Sequence, residues 1–367
     1  MNIRELTLEN FRNYRSQTIA FDEKTNVIYG DNAQGKTNLL EAMVCLSVGR
    51  SPRTRGDRDM IAFDAKSAKI SALSQARDRE FRTEMELSRG RQKKITVNGV
   101  RIKRNCDLGG VLNTVFFCPD DLMLIRDGAA ARRRFLDSAL CQLRPRYAKA
   151  YADYLRAYDS KLRILRDGEE RPDMLRALPD FNEQLARSGA VIIRYRAQYC
   201  KKLAQYAAAA HGECSGGRES LALAYKTVST VEDPLEEEDK IAERLRQHQE
   251  EHYGAEIASG MCLSGPHKDD IEVLIGGRAA RSFSSQGQTR TAALALKLAE
   301  REICRNATGE YPVLLLDDVL SELDDTRQEF VLNRISGGQV FITCCEDDRL
   351  NGLMNGKGFH IKNGEVL

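Results

Sequence analysis

Gly30-Asp31-Asn32-Ala33-Gln34-Gly35-Lys36-Thr37 matches the pattern G-x-x-x-x-G-K-[ST] at every fixed position. The apolar run 27–29 before it is typical of a strand, and residues 38–44 after it are typical of a helix. A phosphate-binding loop requires this context, because its glycines let the backbone approach a phosphate and the following helix adds the positive end of its dipole. The stretch therefore predicts a nucleoside triphosphate as ligand.

The two residues that end the loop have separate predicted roles. Lys36 would reach the β- and γ-phosphates, and the hydroxyl of Thr37 would bind a magnesium ion. The other loop residues would line the nucleotide: Gly30, Asp31, Asn32, Ala33, Gln34 and Gly35. A glycine-rich turn that matches by chance is the alternative, and the flanking strand and helix argue against it.

An apolar run near the C-terminus supplies a second half for this site. Residues 312–316 have the composition of a buried strand, which ends in Asp317 and Asp318. An acid at this position, the Walker B acid, binds the magnesium ion of the nucleotide, so Asp317 is the predicted partner of Thr37. Asp318 would orient or activate the attacking water. Lys36 and Asp318 are therefore the predicted catalytic residues.

The order of the motifs narrows the class. Between the loop and the acidic strand, Ser285-Gln286-Gly287-Gln288 precedes a helical stretch over 289–304, so its amides and the Ser285 hydroxyl form either an anion site or a plain helix cap. Ser321-Glu322-Leu323-Asp324 follows the acidic strand. ABC-type ATPases have the same order, with a signature Leu-Ser-Gly-Gly-Gln before Walker B and a Ser-x-Leu-Asp loop, the D-loop, after it. This chain resembles that class, and Asp324 is its predicted D-loop residue.

Composition limits the remaining properties. A chain of 367 residues exceeds the size at which one core usually stops growing, so two lobes are expected. Because 56 Lys and Arg nearly balance 54 Asp and Glu, any nucleic-acid site must be a local basic patch. The charged N-terminus and the lack of an apolar run of ~20 residues predict a cytoplasmic protein with no membrane partner.

Polar and basic turns supply further candidates. Residues 1–29 alternate apolar and polar side chains, which predicts two or three strands, and Arg12 and Asn13 in the intervening turn either contact nucleotide or form an ordinary polar turn. The basic segments 50–58 and 89–104 are candidate DNA contacts, although a solvated basic hairpin around Asn98-Gly99 is as good an interpretation. The individual DNA candidates are Arg53, Arg55, Arg91, Lys93 and Lys94.

Helical periodicity marks the middle of the chain. Apolar residues recur every three or four positions from Leu136 to Leu162, which predicts a long amphipathic helix bent at Pro145. A second stripe from Phe181 to Tyr206 predicts an antiparallel partner helix. The tyrosines in both stripes are expected to pack the helices together rather than to stack on bases.

Four stretches resemble one family closely. They are Asn10-Phe11-Arg12-Asn13-Tyr14, Arg132-Arg133-Arg134-Phe135-Leu136-Asp137, Gly265-Pro266-His267-Lys268-Asp269-Asp270 and Ser285-Gln286-Gly287-Gln288. All look like RecF, the bacterial DNA replication and repair family, and the resemblance covers residues 3 to about 345. It implies an α/β fold, a two-lobed ABC-type P-loop ATPase head with a mixed sheet, an antiparallel β part and an inserted helical arm. The implied division is 1–118 with Walker A, 119–260 for the arm, and 261–367 with signature and Walker B.

The resemblance also implies a function. Family members bind ATP with Mg²⁺, dimerise when ATP is bound, and hydrolyse it slowly in a DNA-stimulated reaction that resets the dimer. The signature Ser285 to Gln288 of one subunit would then meet the ATP held by the loop of the other. Such a dimer would bind duplex DNA at single-strand gap junctions, where it would help RecO and RecR to load RecA.

Two alternatives stay open beside this interpretation. A chromosome-structure ATPase scaffold would need helical stripes long enough for a coiled coil, and those seen here are far shorter. A transporter energising subunit would carry a switch histidine after the strand at 340–342, where this chain has Thr343-Cys344-Cys345. The chain also has Asp318 where many ABC proteins have Glu, and it has no clear match to the glutamine loop that supplies a second magnesium ligand.

Overall fold

The computed structural model describes residues 1–54, 56–126, 128–168, 170–335, 337–345 and 356–367. Its strands are β1 (Asn2–Phe11), β2 (Tyr14–Ala20), β3 (Thr25–Tyr29), β4 (Ser67–Ala76), β5 (Arg79–Ser88), β6 (Arg91–Val97), β7 (Val100–Ile102), β8 (Thr114–Phe117), β9 (Leu221–Lys226), β10 (Asp270–Ile275), β11 (Arg278–Ala279), β12 (Val313–Asp317), β13 (Val340–Cys344), β14 (Lys357–Lys362) and β15 (Glu365–Val366). Its helices are α1 (Lys36–Val48), α2 (Ala129–Leu143), α3 (Pro145–Asp167), α4 (Leu178–Cys214), α5 (Glu238–Glu251), α6 (Tyr253–Ser259), α7 (Ala280–Phe283), α8 (Gln286–Thr308) and α9 (Asp325–Arg334).

A mixed sheet joins the two ends of the chain. Its strand order is β15-β14-β3-β13-β12-β8, and only the β14–β15 pair is antiparallel. Strands β3 and β8 come from the N-terminal third, whereas β12 to β15 come from the C-terminal end. Because the carboxyl ends of parallel strands lie at one edge of a sheet, the residues that directly follow β3, β12 and β13 lie at that edge. The predicted α/β class is confirmed.

Alternate residues of this sheet face two different cores. Ile28, Leu315 and Phe341 belong to a core with α1 and the N-terminal antiparallel sheet, β2-β1-β4-β5-β6-β7. Leu314 and Ile342 belong to a second core, which is built with helices α2, α3, α4 and α8. The sheet is therefore buried on both faces, and this explains why its strands are continuous apolar runs in the sequence.

The N-terminal predictions are confirmed in detail. Residues 1–29 form the three strands β1, β2 and β3. Asn98 and Gly99 join β6 to β7 with φ values of 49° and 78°, so both central residues of this two-residue turn are left-handed. That geometry is the reason why the Asn-Gly pair is favoured in hairpins.

The helical region differs from its prediction at Pro145. The prediction of one helix bent at this proline is wrong: α2 ends at Leu143, Arg144 is extended with φ −135° and ψ 95°, and Pro145 begins α3. Proline disfavours helical geometry at the preceding residue, and the first turn of a helix does not need its missing N–H group. The chain therefore starts a new helix here.

The antiparallel pairing of the two stripes is confirmed. Tyr147 of α3 packs on Tyr195 of α4 with ring centroids 5.9 Å apart, whereas Ile164 and Leu165 at the end of α3 cluster with Leu178 at the start of α4. Helix α4 also packs against α8. Strand β9 pairs antiparallel with β10, so the implied boundary between residues 260 and 261 separates two strands of one sheet. Among the described residues, no helix is long and apolar enough to cross a bilayer.

Candidate nucleotide-binding site

The predicted phosphate-binding loop lies between β3 and α1. Strand β3 ends at Tyr29 and α1 begins at Lys36, so residues 30–35 form the loop, as the sequence indicated. The buried ammonium group of Lys36 donates to the carbonyl oxygen of Asp31 at 2.9 Å and to that of Gly30. The ammonium group at the start of α1 is thereby held against the backbone of the loop.

Lys36 lies beside Cys345, which directly follows β13. The thiol Sγ of Cys345 is 3.9 Å from Lys36 Nζ and 3.1 Å from the side-chain oxygen of Asn32. Cys345 therefore reaches the loop from the end of β13.

The two predicted magnesium ligands are in contact. Thr37 Oγ1 donates to Asp317 Oδ1 at 2.9 Å, although 280 positions separate the two residues. Thr343 Oγ1 donates to the same oxygen at 3.0 Å. Burial raises the pKa of the Asp317 carboxyl, and these two hydroxyl donors oppose that rise. A buried carboxylate beside a threonine hydroxyl is a suitable oxygen donor set for a hard cation such as Mg²⁺.

Asp318 occupies a special backbone conformation at the end of β12. Its φ is 53°, which is uncommon for a residue other than glycine. Its backbone N–H donates to Thr343 Oγ1 at 2.8 Å, and its carbonyl accepts from Ser321 Oγ at 2.7 Å. Within the part of the chain that the structure describes, its carboxylate has no hydrogen bond or ion pair. That group is therefore free to take a water molecule, and its catalytic role stays a prediction.

Thr343 is a site residue that sequence reasoning missed. It contacts both acids after β12, through the carboxylate of Asp317 and the backbone of Asp318. The available signal was a polar residue that ends the apolar run of β13. The motif of transporter subunits has a histidine after this strand, and a threonine does not fit that pattern.

The turn between β14 and β15 packs on the phosphate-binding loop. Gln34 is the contact point: its carbonyl accepts from Asn13 Nδ2 at 2.7 Å and from the Gly364 N–H at 3.0 Å. The side-chain oxygen of Gln34 accepts from the Asn363 N–H at 2.6 Å. Asn13 thus touches the loop backbone, and its predicted contact with the nucleotide itself stays a prediction. The packing of Asn363 and Gly364 on the loop was not predicted from the sequence.

Gly364→Ala should lower the affinity for nucleotide by about tenfold. Gly364 has φ 77°, and a Cβ there would lie 2.3 Å from the carbonyl oxygen of Asn13, so the turn or the loop must move. Gly277→Ala is the matched control, because Gly277 also has φ 77° but a Cβ there would meet no atom within 4 Å. Titration with a fluorescent ATP analogue measures both. Equal affinities in the two variants would contradict the role of this packing.

Arg12 and Arg53 converge on one buried acid. Arg12 donates to both carboxylate oxygens of Glu41, at 3.0 and 2.7 Å, and Arg53 Nη1 lies 3.4 Å from Oε2. Glu41 is fully buried in α1, one turn after Thr37. Sequence reasoning missed this acid, whose signal was a single acidic residue between the apolar pairs 39–40 and 42–43 of α1. The predicted roles of Arg12 at the nucleotide and Arg53 at DNA stay predictions.

The signature residues cap helix α8. Ser285 Oγ accepts from the Gln288 N–H at 3.2 Å, and Gln288 Oε1 accepts from the Ser285 N–H at 2.8 Å, which together form a capping box. Ser285 and Gln286 are exposed, and Gly287 follows them in the first turn. In the D-loop, Asp324 caps α9 by accepting from the Arg327 N–H at 3.0 Å.

The basic DNA candidates differ in their surroundings. Lys93 Nζ lies 3.1 Å from Asp57, and Lys94 Nζ lies 3.6 Å from Glu86. Arg91 is exposed at the start of β6, and its guanidinium has no ion pair with any residue that the structure describes. Arg55 lies outside the described residues.

Comparisons with known proteins place the whole chain in one family. Residues 2–365 match the family described as RecF/RecN/SMC N terminal domain. The "DNA replication and repair protein RecF" of Agathobacter rectalis is 38% identical over 368 residues, which cover 100% of this chain and 99% of that protein. Its counterpart from Bacillus subtilis is 37% identical over 371 residues, covering 100% of both chains.

Solved structures give the same result. The chain is similar to "the recombination mediator protein RecF-ATP in RecFOR pathway" with a TM-score of 0.91 and 36% identity, covering 100% of this chain and 96% of that one. A Smc head domain from Pyrococcus furiosus, at 17% identity, has a TM-score of 0.54 and covers 100% of this chain and 95% of that one, which indicates a shared fold. The predicted two-lobed ABC-type head is confirmed. The chain belongs to the RecF family of DNA replication and repair proteins.

Proposed function

We propose that this protein is an ATP-dependent DNA-binding ATPase of DNA replication and recombinational repair. The observation that carries the proposal is the 2.9 Å contact between Thr37 Oγ1 and Asp317 Oδ1, because it joins the phosphate-binding loop to the acidic strand. Relatives named for DNA replication and repair, and a related structure described with ATP, support the same role. ATP would bind along residues 30–37, and Thr37 and Asp317 would be the residues that hold Mg²⁺.

The bound triphosphate would change the contacts of the loop. Lys36 would exchange the carbonyls of Gly30 and Asp31 for phosphate oxygens, which are stronger acceptors for an ammonium group. Magnesium, when bound, neutralises charge on the β- and γ-phosphates. The unpaired carboxylate of Asp318 would orient the attacking water. Slow hydrolysis would then serve to reset the protein rather than to drive movement.

ATP would act by joining two copies of the chain. Ser285 and Gln286 are exposed at the start of α8, so they would be accessible to the nucleotide held by a second subunit. Phe283, just before them, has 70% of its surface exposed, and dimerisation would bury part of it. The dimer would bind duplex DNA near single-strand gap junctions. In the cytoplasm it would work with RecR and RecO, and through them with RecA.

Measuring the mass of the protein in solution tests this proposal. The mass should double with ATP and Mg²⁺ but not with ADP or without nucleotide, and the same series with gapped DNA should show ATP-dependent complex formation. Light scattering after size exclusion gives both masses. A constant mass, together with a duplex affinity that is indifferent to nucleotide, would refute the proposed switch.

Reversing the exposed charge of Arg91 should weaken DNA binding. Arg91→Glu would lower duplex affinity and flatten its salt dependence. Each phosphate contact that is lost reduces the number of counterions released on DNA binding by about one. Lys94→Glu should have a smaller effect, since Lys94 already pairs with Glu86. Fluorescence anisotropy at several salt concentrations measures the slope. If the salt dependence of DNA binding were unchanged in Arg91→Glu, then β6, which also contains Lys93, would not be part of the proposed interface.

A further inference from the structure

Two hydrogen bonds fix the side chain of the signature glutamine. Gln288 Oε1 accepts from the Ser285 N–H at 2.8 Å, and Gln288 Nε2 donates to Glu219 Oε1 at 2.6 Å. The first bond uses a backbone donor at the start of α8, where an anion would bind. The second ties the same side chain to a carboxylate from a different part of the chain.

Glu219 is anchored from both sides. It lies in the turn between α4 and β9, where the Gly217 N–H donates to the carbonyl of Gly212 at 2.7 Å. The next residue, Ser220, accepts from the Gly276 N–H at 2.9 Å, which ties the turn to the hairpin of β10. Within the described residues, no basic side chain forms an ion pair with Glu219. Its carboxylate therefore places a negative charge in contact with the signature glutamine.

We propose that the Glu219–Gln288 contact is an autoinhibitory lock on the signature, which must open before the motif can receive the triphosphate of a second copy. This inference rests on the proposed function, in which the signature acts on ATP held by another subunit. In the free chain, the lock holds the side chain of Gln288 over the first turn of α8. The Ser285 N–H then donates to Gln288 Oε1 and is not available to a phosphate.

The arriving phosphate competes with the lock in two ways. Its oxygens are strong acceptors for the Ser285 N–H, which Gln288 Oε1 now fills. Its negative charge is also repelled by Glu219, and this repulsion is strong in a partly desolvated interface. Opening the lock therefore adds to the free energy that ATP-driven dimerisation must supply. Weakening the lock should make dimers form at lower protein concentration.

The variant Glu219→Gln tests the lock directly. It removes the charge but retains an oxygen that can accept from Gln288, so α8 keeps its cap. We expect the dimer dissociation constant with saturating ATP to fall about tenfold. Glu219→Ala removes the acceptor as well and should lower it at least as far. Glu213→Gln is the control, because it also removes one negative charge near the end of α4. Glu213 pairs with Arg334 and does not contact the signature.

Sedimentation equilibrium with ATP measures the dissociation constant for the wild type and the three variants, and thermal unfolding shows that each is folded. Wild-type protein that stays monomeric with ATP would contradict the proposed function. Wild-type protein that dimerises, with Glu219→Gln and Glu219→Ala unchanged or weaker, would overturn the lock alone. A gain in the Glu213→Gln control of the same size would also overturn it, since the effect would then be general charge removal.

Discussion

Lys36→Met should abolish ATP-dependent behaviour while leaving the fold intact. The ammonium group already lies in the loop, on the carbonyls of Gly30 and Asp31, so it is placed to donate to phosphate oxygens. Methionine has a similar length but neither charge nor donors. Losing charge-assisted hydrogen bonds worth about 2–3 kcal/mol should weaken ATP binding by roughly 30- to 150-fold. With that affinity lost, ATP should change neither the mass nor the DNA affinity.

Lys24→Met is the matched control for this variant. Lys24 is exposed just before β3, the strand that leads into the loop, so the substitution removes one positive charge from the same region. Isothermal titration with ATP and Mg²⁺ should give wild-type affinity for this control. Thermal unfolding without nucleotide should be nearly the same in all three proteins. Wild-type affinity in Lys36→Met would show that the loop does not hold the triphosphate.

The parts of this site that lie within one continuous stretch could be predicted. The loop and the helix after it depend on neighbouring residues, and Asp317 follows from the fixed order of motifs in its class. The 2.9 Å contact between Thr37 and Asp317 places these two motifs together. Ser285 as a helix cap was likewise readable, because a capping box needs only residues three positions apart.

Contacts between distant segments could not be read in this way. Thr343 donates a hydrogen bond to Asp317 because β13 lies beside β12 in the sheet. The sequence of neither strand shows which strand it pairs with. The packing of Gly364 on the Asn13 turn depends on β14 adding to the edge beside β3. The sequence predicts that the helix is disturbed at Pro145. It does not predict whether the helix bends or a new helix begins there, because a proline is compatible with both.

Burial of a charge is the least predictable feature, and Arg196 is the clearest case. It lies in α4 among apolar neighbours, and its side chain is 3% exposed. Arg196 contacts Asp137 of α2 at 2.8 Å and Asp269 at 2.9 Å, and Nη1 donates to the carbonyl of Pro266 at 2.6 Å. These partners are far apart in sequence. Helical periodicity alone therefore predicts neither the burial of Arg196 nor its partners.

Arg196→Met should therefore lower the free energy of unfolding by about 3–5 kcal/mol, because it leaves two buried carboxylates without a counter-charge. Arg187→Met, on the same helix, removes an arginine whose pair with Glu183 is largely exposed, and it should cost less than about 1 kcal/mol. Denaturant unfolding of the two variants measures the difference.

The pH dependence separates charge from packing in Arg196→Met. Burial raises the pKa of Asp269 to about 6 although the Arg196 guanidinium opposes that rise, so loss of the guanidinium would raise it further above the pKa of the unfolded chain. A carboxyl group with a raised pKa destabilises the fold as the pH rises through that pKa, and protonation at lower pH removes the penalty. The deficit of Arg196→Met relative to wild type should therefore be smaller near about pH 5 than near about pH 7.5. A deficit that does not change with pH would show that Arg196 contributes by filling space, and that its charge does not link α2 and α4 to the segment at Asp269.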